Sequence, residues 1–278
     1  MRNPHGDAKL KSWERLNKAA PNKPIERGLP PDQEAQVISL KERSFQMLKN
    51  DLILRNPIRL LAPDGTNMLS DGGFGAITAR AGVGKTAFLV QIVLNSQLEG
   101  KNVLHISLND PVKKVDLWYK EVFRLLAEQY HVQQINQLWE AILPHRFIMT
   151  FRAESFTVPV FDERLSDLID QGIFYPQIVI IDGLSFEPPD RDLLTGLKLS
   201  AKEHKFTSWF AVRSHRHETP DDDGIPAPLS PVIDLFEAAI QLQPTGKEIN
   251  VLSLKGGKEE GAQPELFLDP STMLIKDK

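Results

Sequence analysis

The sequence predicts an α/β fold: a mainly parallel, twisted sheet with helices on both faces, a C-terminal antiparallel hairpin and an N-terminal helical arm. Strand-like and helical patterns alternate from residue 74 onward. The run Ile-Val-Ile-Ile at residues 178–181 has the continuous β-branched character of a strand buried on both faces. A glycine-rich turn at residues 82–84 joins a strand pattern to a helix pattern. Repeated alternation of this kind places parallel strands side by side under two layers of helices.

The composition narrows the class of protein further. The chain has 278 residues, 41% hydrophobic and 25% charged, which is typical of a globular protein with a large core. It has no cysteine, so disulfides, thiolate metal sites and cysteine nucleophiles are excluded. The net charge of −4 creates no general field that favours nucleic acid. No apolar run approaches the ~20 residues of a bilayer span, and we expect a cytoplasmic protein without membrane association.

The first 73 residues are expected to precede the main domain as two segments. Residues 1–33 predict a basic, flexible arm, because Pro21, Pro24, Pro30 and Pro31 interrupt regular structure and residues 1–30 carry seven Lys or Arg against three Asp or Glu. Residues 34–73 predict a helical lead-in, with a helical pattern from residue 33 to about residue 54. The main domain is expected over residues 74–278.

The elements of the main domain follow in order. Residues 74–79 predict the first strand, and residues 85–98 predict a helix that Gly100 closes. Apolar residues recur every three or four positions between 111 and 130, which indicates a second helix. Further strands are expected at 102–108, 146–151, 177–182 and 206–212, further helices at 161–170 and 190–204, and antiparallel strands within 238–275 with turns at Pro244-Thr245-Gly246 and Asp269-Pro270-Ser271. Sheets of this kind bind ligands beyond the carboxyl ends of their strands, so the site is expected after residues 79, 108, 182 and 212.

The stretch Ala79-Arg80-Ala81-Gly82-Val83-Gly84-Lys85-Thr86 predicts a phosphate-binding loop. Small residues let backbone N–H groups curl around a polyphosphate, and a helix that starts at Lys85 directs its free N–H groups at the same anion. In such a loop the lysine reaches the β- and γ-phosphates and the hydroxyl next to it ligates Mg²⁺. The predicted nucleotide-binding residues are Ala81, Gly82, Val83, Gly84, Lys85, Thr86 and Ala87.

Asp182 is the second predicted metal ligand, with Thr86. It ends the buried 178–181 run, where a carboxylate can hold Mg²⁺ beside the loop. The alternative is a helix-capping or turn aspartate before Gly183. The chain has no Asn-Lys-x-Asp stretch that would grip a guanine edge, so guanine specificity is unsupported. Adenine is taken as the default base and does not follow from the residues, and ATP with Mg²⁺ is the expected ligand on that basis.

Taken together, residues 74–275 resemble the RecA-like P-loop ATPases, in particular the RecA/DnaB/KaiC branch. The resemblance is carried by the 79–86 loop, the Ser107-Leu108 strand end, the Ile-Ile-Asp strand, the late stretch with Lys255-Gly256-Gly257, and Leu266-Phe267-Leu268-Asp269-Pro270. It implies a RecA-like nucleotide-binding domain over residues 74–278, ATP and Mg²⁺ as ligands, and self-association into a ring or filament.

The resemblance also implies catalytic positions. The position of the family's water-polarising glutamate falls on Asn109, which can orient a water molecule but cannot take its proton. The neighbouring Asp110 is an acid with a shorter side chain that could take this role. Alternatively, Asp110 caps the helix that starts at Pro111. Lys85 and Asp182 complete the catalytic set. Arg213 and Ser214 fall where the family places its γ-phosphate sensor. The family inserts a lysine and an arginine into the nucleotide site of a neighbouring subunit, and Lys255 and Lys258 are the candidates for this role. Alternatively, both lysines belong to a solvated turn. Gly257 stands where the family has the arginine.

The expected function is a slow Mg-ATP hydrolase whose nucleotide-dependent loops signal to a protein partner. A non-hydrolysing ATP-binding regulatory module is the first alternative, and Asn109 and Gly257 favour it. A helicase-like motor stimulated by DNA or RNA is the second. The acidic run Asp221-Asp222-Asp223 counts against the motor, because it would repel a phosphate backbone.

Overall fold

The computed structural model describes residues 31–61, 68–215, 218–256 and 266–277, and for residues 31–41 and 44 only the backbone. The chain divides into two compact units, residues 1–44 and residues 45–278. Of the first unit, the described part is helical. The predicted arm lies outside the described residues except at its end, where a helix begins at Pro31, two residues before the predicted start.

The described elements follow the predicted alternation. The α-helices are α1 (Pro31–Arg55), α2 (Lys85–Leu98), α3 (Val112–Gln129), α4 (Ile135–Ile142), α5 (Val158–Asp170) and α6 (Arg191–His204). The strands are β1 (Phe74–Ala79), β2 (Val103–Ser107), β3 (Arg146–Thr150), β4 (Ile178–Asp182), β5 (Thr207–Arg213), β6 (Ala238–Thr245), β7 (Glu248–Lys255), β8 (Leu266–Leu268) and β9 (Ile275–Asp277). Short 3-10 helices span Pro57–Leu61, Leu143–His145, Ala153–Ser155 and Ser230–Leu235.

All nine strands belong to one sheet, in the order β3-β2-β4-β5-β1-β6-β7-β8-β9. The pairs from β3 to β6 are parallel, and those from β6 to β9 are antiparallel. The predicted class is therefore confirmed as a mostly parallel mixed sheet with antiparallel strands at its C-terminal end.

Two apolar cores cover the two faces of the sheet. One joins α2, α3 and α4 to strand residues such as Ile77 and Ile180. The other joins α5 and α6 to Phe74, Phe210 and Phe236, whose rings contact one another. Side chains alternate between the faces along a strand, so the parallel strands contribute to both cores, whereas the described buried apolar residues of β8 and β9 belong to the first core alone. The predicted placement of helices on both faces is confirmed.

The antiparallel strands return the chain to α2. The side chain of Gln91 donates to the Met273 carbonyl (2.9 Å) and accepts from the backbone N–H of Ile275 (2.8 Å). Gln91 is buried, so both bonds are shielded from water. The turn between β8 and β9 is thereby fastened to the helix that follows the 79–86 loop.

The boundaries of the predicted elements agree with the structure to within a few residues, but some short helices were not predicted. The eight-residue helix α4 was not predicted, although Leu138 and Ile142 are fully buried on its inner face. The 3-10 helices were not predicted either. Among the described residues, no helix has the length and apolar character that crossing a membrane requires.

Candidate functional site

The loop between β1 and α2 has the backbone that its glycines predict. Gly82 (φ 77°) and Gly84 (φ 110°) both adopt left-handed conformations, which glycine alone adopts without strain. A Cβ built at Gly82 would find no atom within 4 Å, so the loop borders open space there. Val83 and Ala87 are buried, and Ala81 is exposed. The loop therefore presents backbone rather than side chains to that space.

Helix α2 begins without a side-chain cap. Its N-cap is Gly84, which has no side chain to satisfy the first N–H groups of the helix. The Sδ of Met273 and a Cδ of Leu268 pack behind Gly84, at 3.2 and 3.3 Å from where its Cβ would stand. The uncapped N–H groups and the positive end of the helix dipole can accept an anion.

Lys85 is the first residue of α2, and its side chain folds back over the loop. Its Nζ donates to the carbonyls of Ala79 (2.8 Å) and Arg80 (3.1 Å). Burial lowers the pKa of Lys85; the charge of Asp182 opposes this shift and that of Arg213 adds to it. Lys85 thus lies within electrostatic reach of both residues.

Thr86 and Asp182 meet across the sheet edge. The Thr86 hydroxyl donates to Asp182 Oδ2 at 3.0 Å. Burial raises the pKa of Asp182, while the Thr86 hydrogen bond and the Lys85 charge oppose the shift and the Asp110 charge adds to it. A hydroxyl and a carboxylate oxygen are hard donors of the kind that Mg²⁺ takes.

The two oxygen donors of Thr86 and Asp182 suit magnesium better than they suit metals whose ligands all come from protein side chains. Within the described ranges, no cluster of three or more His, Cys, Asp or Glu side chains could hold a metal ion. Mg²⁺ characteristically takes one or two protein ligands and completes its shell with water and substrate phosphate. Thr86 and Asp182 would hold it.

Asn109 and Asp110 follow β2 at the same edge of the sheet. A Cβ on Gly183 would stand 2.5 Å from Asn109 Nδ2, so Asn109 lies directly against the residue after Asp182. The Asp110 carboxylate accepts from Lys114 Nζ at 2.7 Å, and the Asp110 N–H donates to Ser107 Oγ at 3.0 Å. The alternative role of Asp110 as a helix cap is wrong: the N-cap of α3 is Pro111, and no side chain caps the helix.

Arg213 and Ser214 lie beside the start of the loop. Arg213 ends β5 in register with Ala79, and Ser214 donates its backbone N–H to the Ala79 carbonyl at 3.1 Å. Most of the predicted site residues therefore share the carboxyl edge of the parallel strands, as expected. They are the residues of the loop together with Asn109, Asp110, Asp182, Arg213 and Ser214.

Lys255 lies elsewhere in its own chain. It pairs with Ala239 near the start of β6, at the amino edge of the parallel strands, and its Nζ donates to the Ile233 carbonyl at 2.9 Å. It takes no part in the site of its own chain, and its insertion into a neighbour stays a prediction. Lys258 lies outside the described residues.

Sequence reasoning missed two polar pairs near this edge. Glu187, on the loop after β4, accepts from His215 Nε2 at 2.6 Å. Beneath the edge, His105 Nδ1 lies 2.7 Å from the Tyr119 hydroxyl in a fully buried pair. Position after a strand end could have singled out Glu187 and His215, but their pairing spans 28 positions and leaves no local pattern. His105 interrupts an otherwise apolar strand, which is a usable signal.

Comparison with models of known protein families gives no match, and no curated protein matches the sequence significantly.

Proposed function

We propose that this chain binds a magnesium nucleoside triphosphate, with ATP the expected nucleotide, and hydrolyses it slowly as a RecA-like P-loop ATPase. The observation that carries the proposal is the meeting of Lys85, Thr86 and Asp182 at one open, glycine-lined loop. The strand order adds support, since it brings the ends of β1, β2, β4 and β5 to one edge.

Positive charge and free amides favour a polyphosphate at this edge. Lys85 and Arg213 lie close enough that the charge of Arg213 lowers the pKa of Lys85. Two neighbouring cations beside an uncapped helix start suit a ligand with several negative charges. Lys85 must exchange its bonds to the Ala79 and Arg80 carbonyls for bonds to phosphate oxygens when such a ligand binds.

The pair Thr86–Asp182 supplies the metal side of the proposal. Magnesium bound there would neutralise charge on the β- and γ-phosphates. Asp182 is half-buried and its pKa is raised, so a cation next to it would relieve the cost of holding an ionised carboxylate there.

The expected rate is low because the water-polarising position holds an amide. Asn109 can orient a water molecule, but proton transfer needs a group such as Asp110. The Asp110 carboxylate is engaged by Lys114, although it lies near enough to Asp182 to raise its pKa. This engagement favours the second candidate function, a nucleotide-binding switch that does not turn ATP over.

Equilibrium binding of a fluorescent ATP analogue, with and without Mg²⁺, tests the binding proposal. Lys85→Ala should weaken binding by at least about tenfold, since it removes a charge-assisted contact. Lys120→Ala is the matched control, because Lys120 is an exposed lysine paired with Asp116 on α3, and it should bind as the wild type does. Equal binding by wild type and Lys85→Ala would contradict the proposal.

Phosphate release decides between the enzyme and the switch. Slow release that Asp110→Asn abolishes would assign the proton-accepting role to Asp110. Binding without any release would favour the switch. Stimulation by single-stranded DNA or RNA, falling steeply with salt, would instead support a motor.

Self-association into a ring or filament belongs to the same proposal, with Lys255 and Lys258 as candidates for contact with a neighbour's nucleotide. Light scattering with and without Mg-ATP tests it. A monomer under both conditions would remove this part of the proposal and leave nucleotide binding intact.

A further inference from the structure

We propose that Glu187 and His215 are positioning residues that hold Arg213 against the phosphate side of the site. Arg213 would then supply, from the same chain, the guanidinium that the stretch Lys255-Gly256-Gly257-Lys258 does not carry. The inference rests on the proposed function and names the residue that stabilises charge on the terminal phosphate.

The direction of Arg213 follows from the alternation along β5. Trp209 and Ala211 belong to the core that α2 covers, whereas Phe210 and Val212 belong to the opposite core. Arg213 continues the first set, on the side of the sheet where α2 and Lys85 lie. Its side chain is exposed, and its charge lowers the pKa of Lys85.

The backbone N–H groups of the two residues after Arg213 are both hydrogen-bonded. Ser214 donates its N–H to the Ala79 carbonyl at 3.1 Å, which ties the end of β5 to the start of the 79–86 loop. His215 then donates its own N–H to Glu218 Oε2 at 3.3 Å. The two residues that follow Arg213 thus each donate their backbone N–H to a defined acceptor.

The ring of His215 ties this strand end to the loop that Asp182 begins. His215 Nε2 lies 2.6 Å from Glu187 Oε1, and since an ionised carboxylate only accepts, Nε2 is the donor. The side chains of His215 and Glu187 are 25% and 42% exposed, and pairs this exposed add only ~0–1 kcal/mol to stability. The relevant property of the pair is therefore geometric: it joins the loops after β4 and β5.

A fixed guanidinium suits the stabilisation of developing phosphate charge. Arginine presents a planar set of donors that matches phosphate oxygens, and a donor held in place needs no reorganisation during the reaction. A flexible lysine cannot replace that geometry. Loosening His215 should therefore weaken contacts to the terminal phosphate and leave contacts to the α- and β-phosphates unchanged.

The experiment compares Kd for Mg-ATPγS and Mg-ADP in the wild type, Glu187→Gln, Arg213→Ala and the double variant. Glu187→Gln should reduce the preference for ATPγS over ADP by about fivefold, the factor that ~1 kcal/mol represents and the most that a pair this exposed is expected to supply. ADP binding should change by less than about twofold, since the diphosphate does not reach Arg213. In the Arg213→Ala background, Glu187→Gln should have no further effect, because the pair acts through Arg213.

Asp234→Asn is the matched control. Asp234 forms an exposed ion pair with Arg191, and this variant should keep the wild-type preference. An unchanged preference in Glu187→Gln, an equal loss of ATPγS and ADP binding, or additive effects in the double variant would each overturn the inference. A wild type that binds neither nucleotide would overturn the proposed function as well, which separates the two failures.

Discussion

The Thr86 hydroxyl donates a 3.0 Å hydrogen bond to the Asp182 carboxylate, although 96 positions separate the two residues along the chain. The sheet order brings them together, because only β5 separates β4, which ends at Asp182, from β1, which leads through the loop to Thr86 in α2. The contact joins the first βα connection, β1 to α2, and the fourth, β4 to α6, into one polar cluster.

Asp182→Asn should raise the thermal stability of the ligand-free protein near neutral pH. The pKa of Asp182 is raised on folding, so the folded state holds the ionised carboxylate at a cost above that raised pKa. The neutral amide removes the cost and can still accept from Thr86. The gain should shrink as pH falls towards the ordinary value of 3.8, where the wild-type carboxyl is also neutral.

Thermal unfolding across this pH range, with and without Mg-ATP, measures both effects. Addition of Mg-ATP should stabilise the wild type and have a smaller effect on Asp182→Asn, since the variant loses the proposed metal ligand. A variant less stable than wild type at neutral pH without nucleotide would contradict the electrostatic argument.

Gly82→Ala and Gly100→Ala should have similar effects on stability and different effects on binding. Both glycines have positive φ, 77° and 80°, and neither Cβ would meet an atom within 4 Å. Each variant should lose ~1–2 kcal/mol of unfolding free energy from the left-handed conformation. Only Gly82→Ala should weaken Mg-ATP binding, because its methyl group is added to the proposed phosphate loop.

Chemical denaturation and nucleotide titration of the two variants check this pair. Loss of binding in Gly100→Ala as well would indicate that strain alone, and not the position of the methyl group, reduces affinity.

Asn109→Glu should raise phosphate release, and Asn109→Gln should not. The two replacements have the same length, and only the carboxylate can take a proton from water. General-base catalysis contributes ~10²–10⁴-fold when well placed, so a rise of at least about tenfold is expected even with imperfect geometry. Steady-state hydrolysis at saturating Mg-ATP measures it; equal rates for the two variants would show that position 109 does not reach the attacking water.

Tyr119→Phe should destabilise the protein more than Tyr175→Phe. The Tyr119 hydroxyl is buried against His105 Nδ1, and its loss leaves that nitrogen unpaired at a cost of ~1–3 kcal/mol. The Tyr175 hydroxyl donates to the His204 carbonyl at an exposed position, where water can replace it. If urea unfolding gives the same loss of unfolding free energy for both variants, the buried His105–Tyr119 bond stabilises the protein no more than the exposed Tyr175 bond.

The same buried pair should make stability fall in acid. Burial, reinforced by the Arg146 charge, lowers the pKa of His105 to about 3. Below the ordinary value of 6.5, His105 therefore binds a proton in the unfolded state and stays neutral in the folded one, so stability declines as pH falls from 6.5 to about 3. The double variant His105→Leu/Tyr119→Phe should show a shallower decline in urea unfolding at several pH values, and an unchanged slope would contradict this assignment.

The sequence predicted β1 and α2 to the residue because strong local signals bound them. Two glycines interrupt the chain between a six-residue strand and an apolar helix, and Gly100 follows the helix end. The carboxyl-edge location of the site also followed from the sequence, because parallel strands with helical crossovers leave little choice of topology.

Other features depend on contacts that no local pattern encodes. Asp110 has the residue type and position of a cap, but Lys114, one turn further on, takes its carboxylate. Helix α4 is short and depends on contacts with the rest of the fold. Leu138 is buried, and the Gln97 side chain of α2 donates to the Ile142 carbonyl at 2.9 Å. The Glu187–His215 bond joins separate loops whose proximity only the folded sheet sets.

The fastening of the β8–β9 turn to α2 through Gln91 also bears on biosynthesis. A nascent chain still emerging from the ribosome would have made the 79–86 loop long before Met273 and Ile275 reached their partner on the helix. The bonds that fasten α2 to the C-terminal strands should therefore form late in synthesis, after the loop and the helix have already emerged.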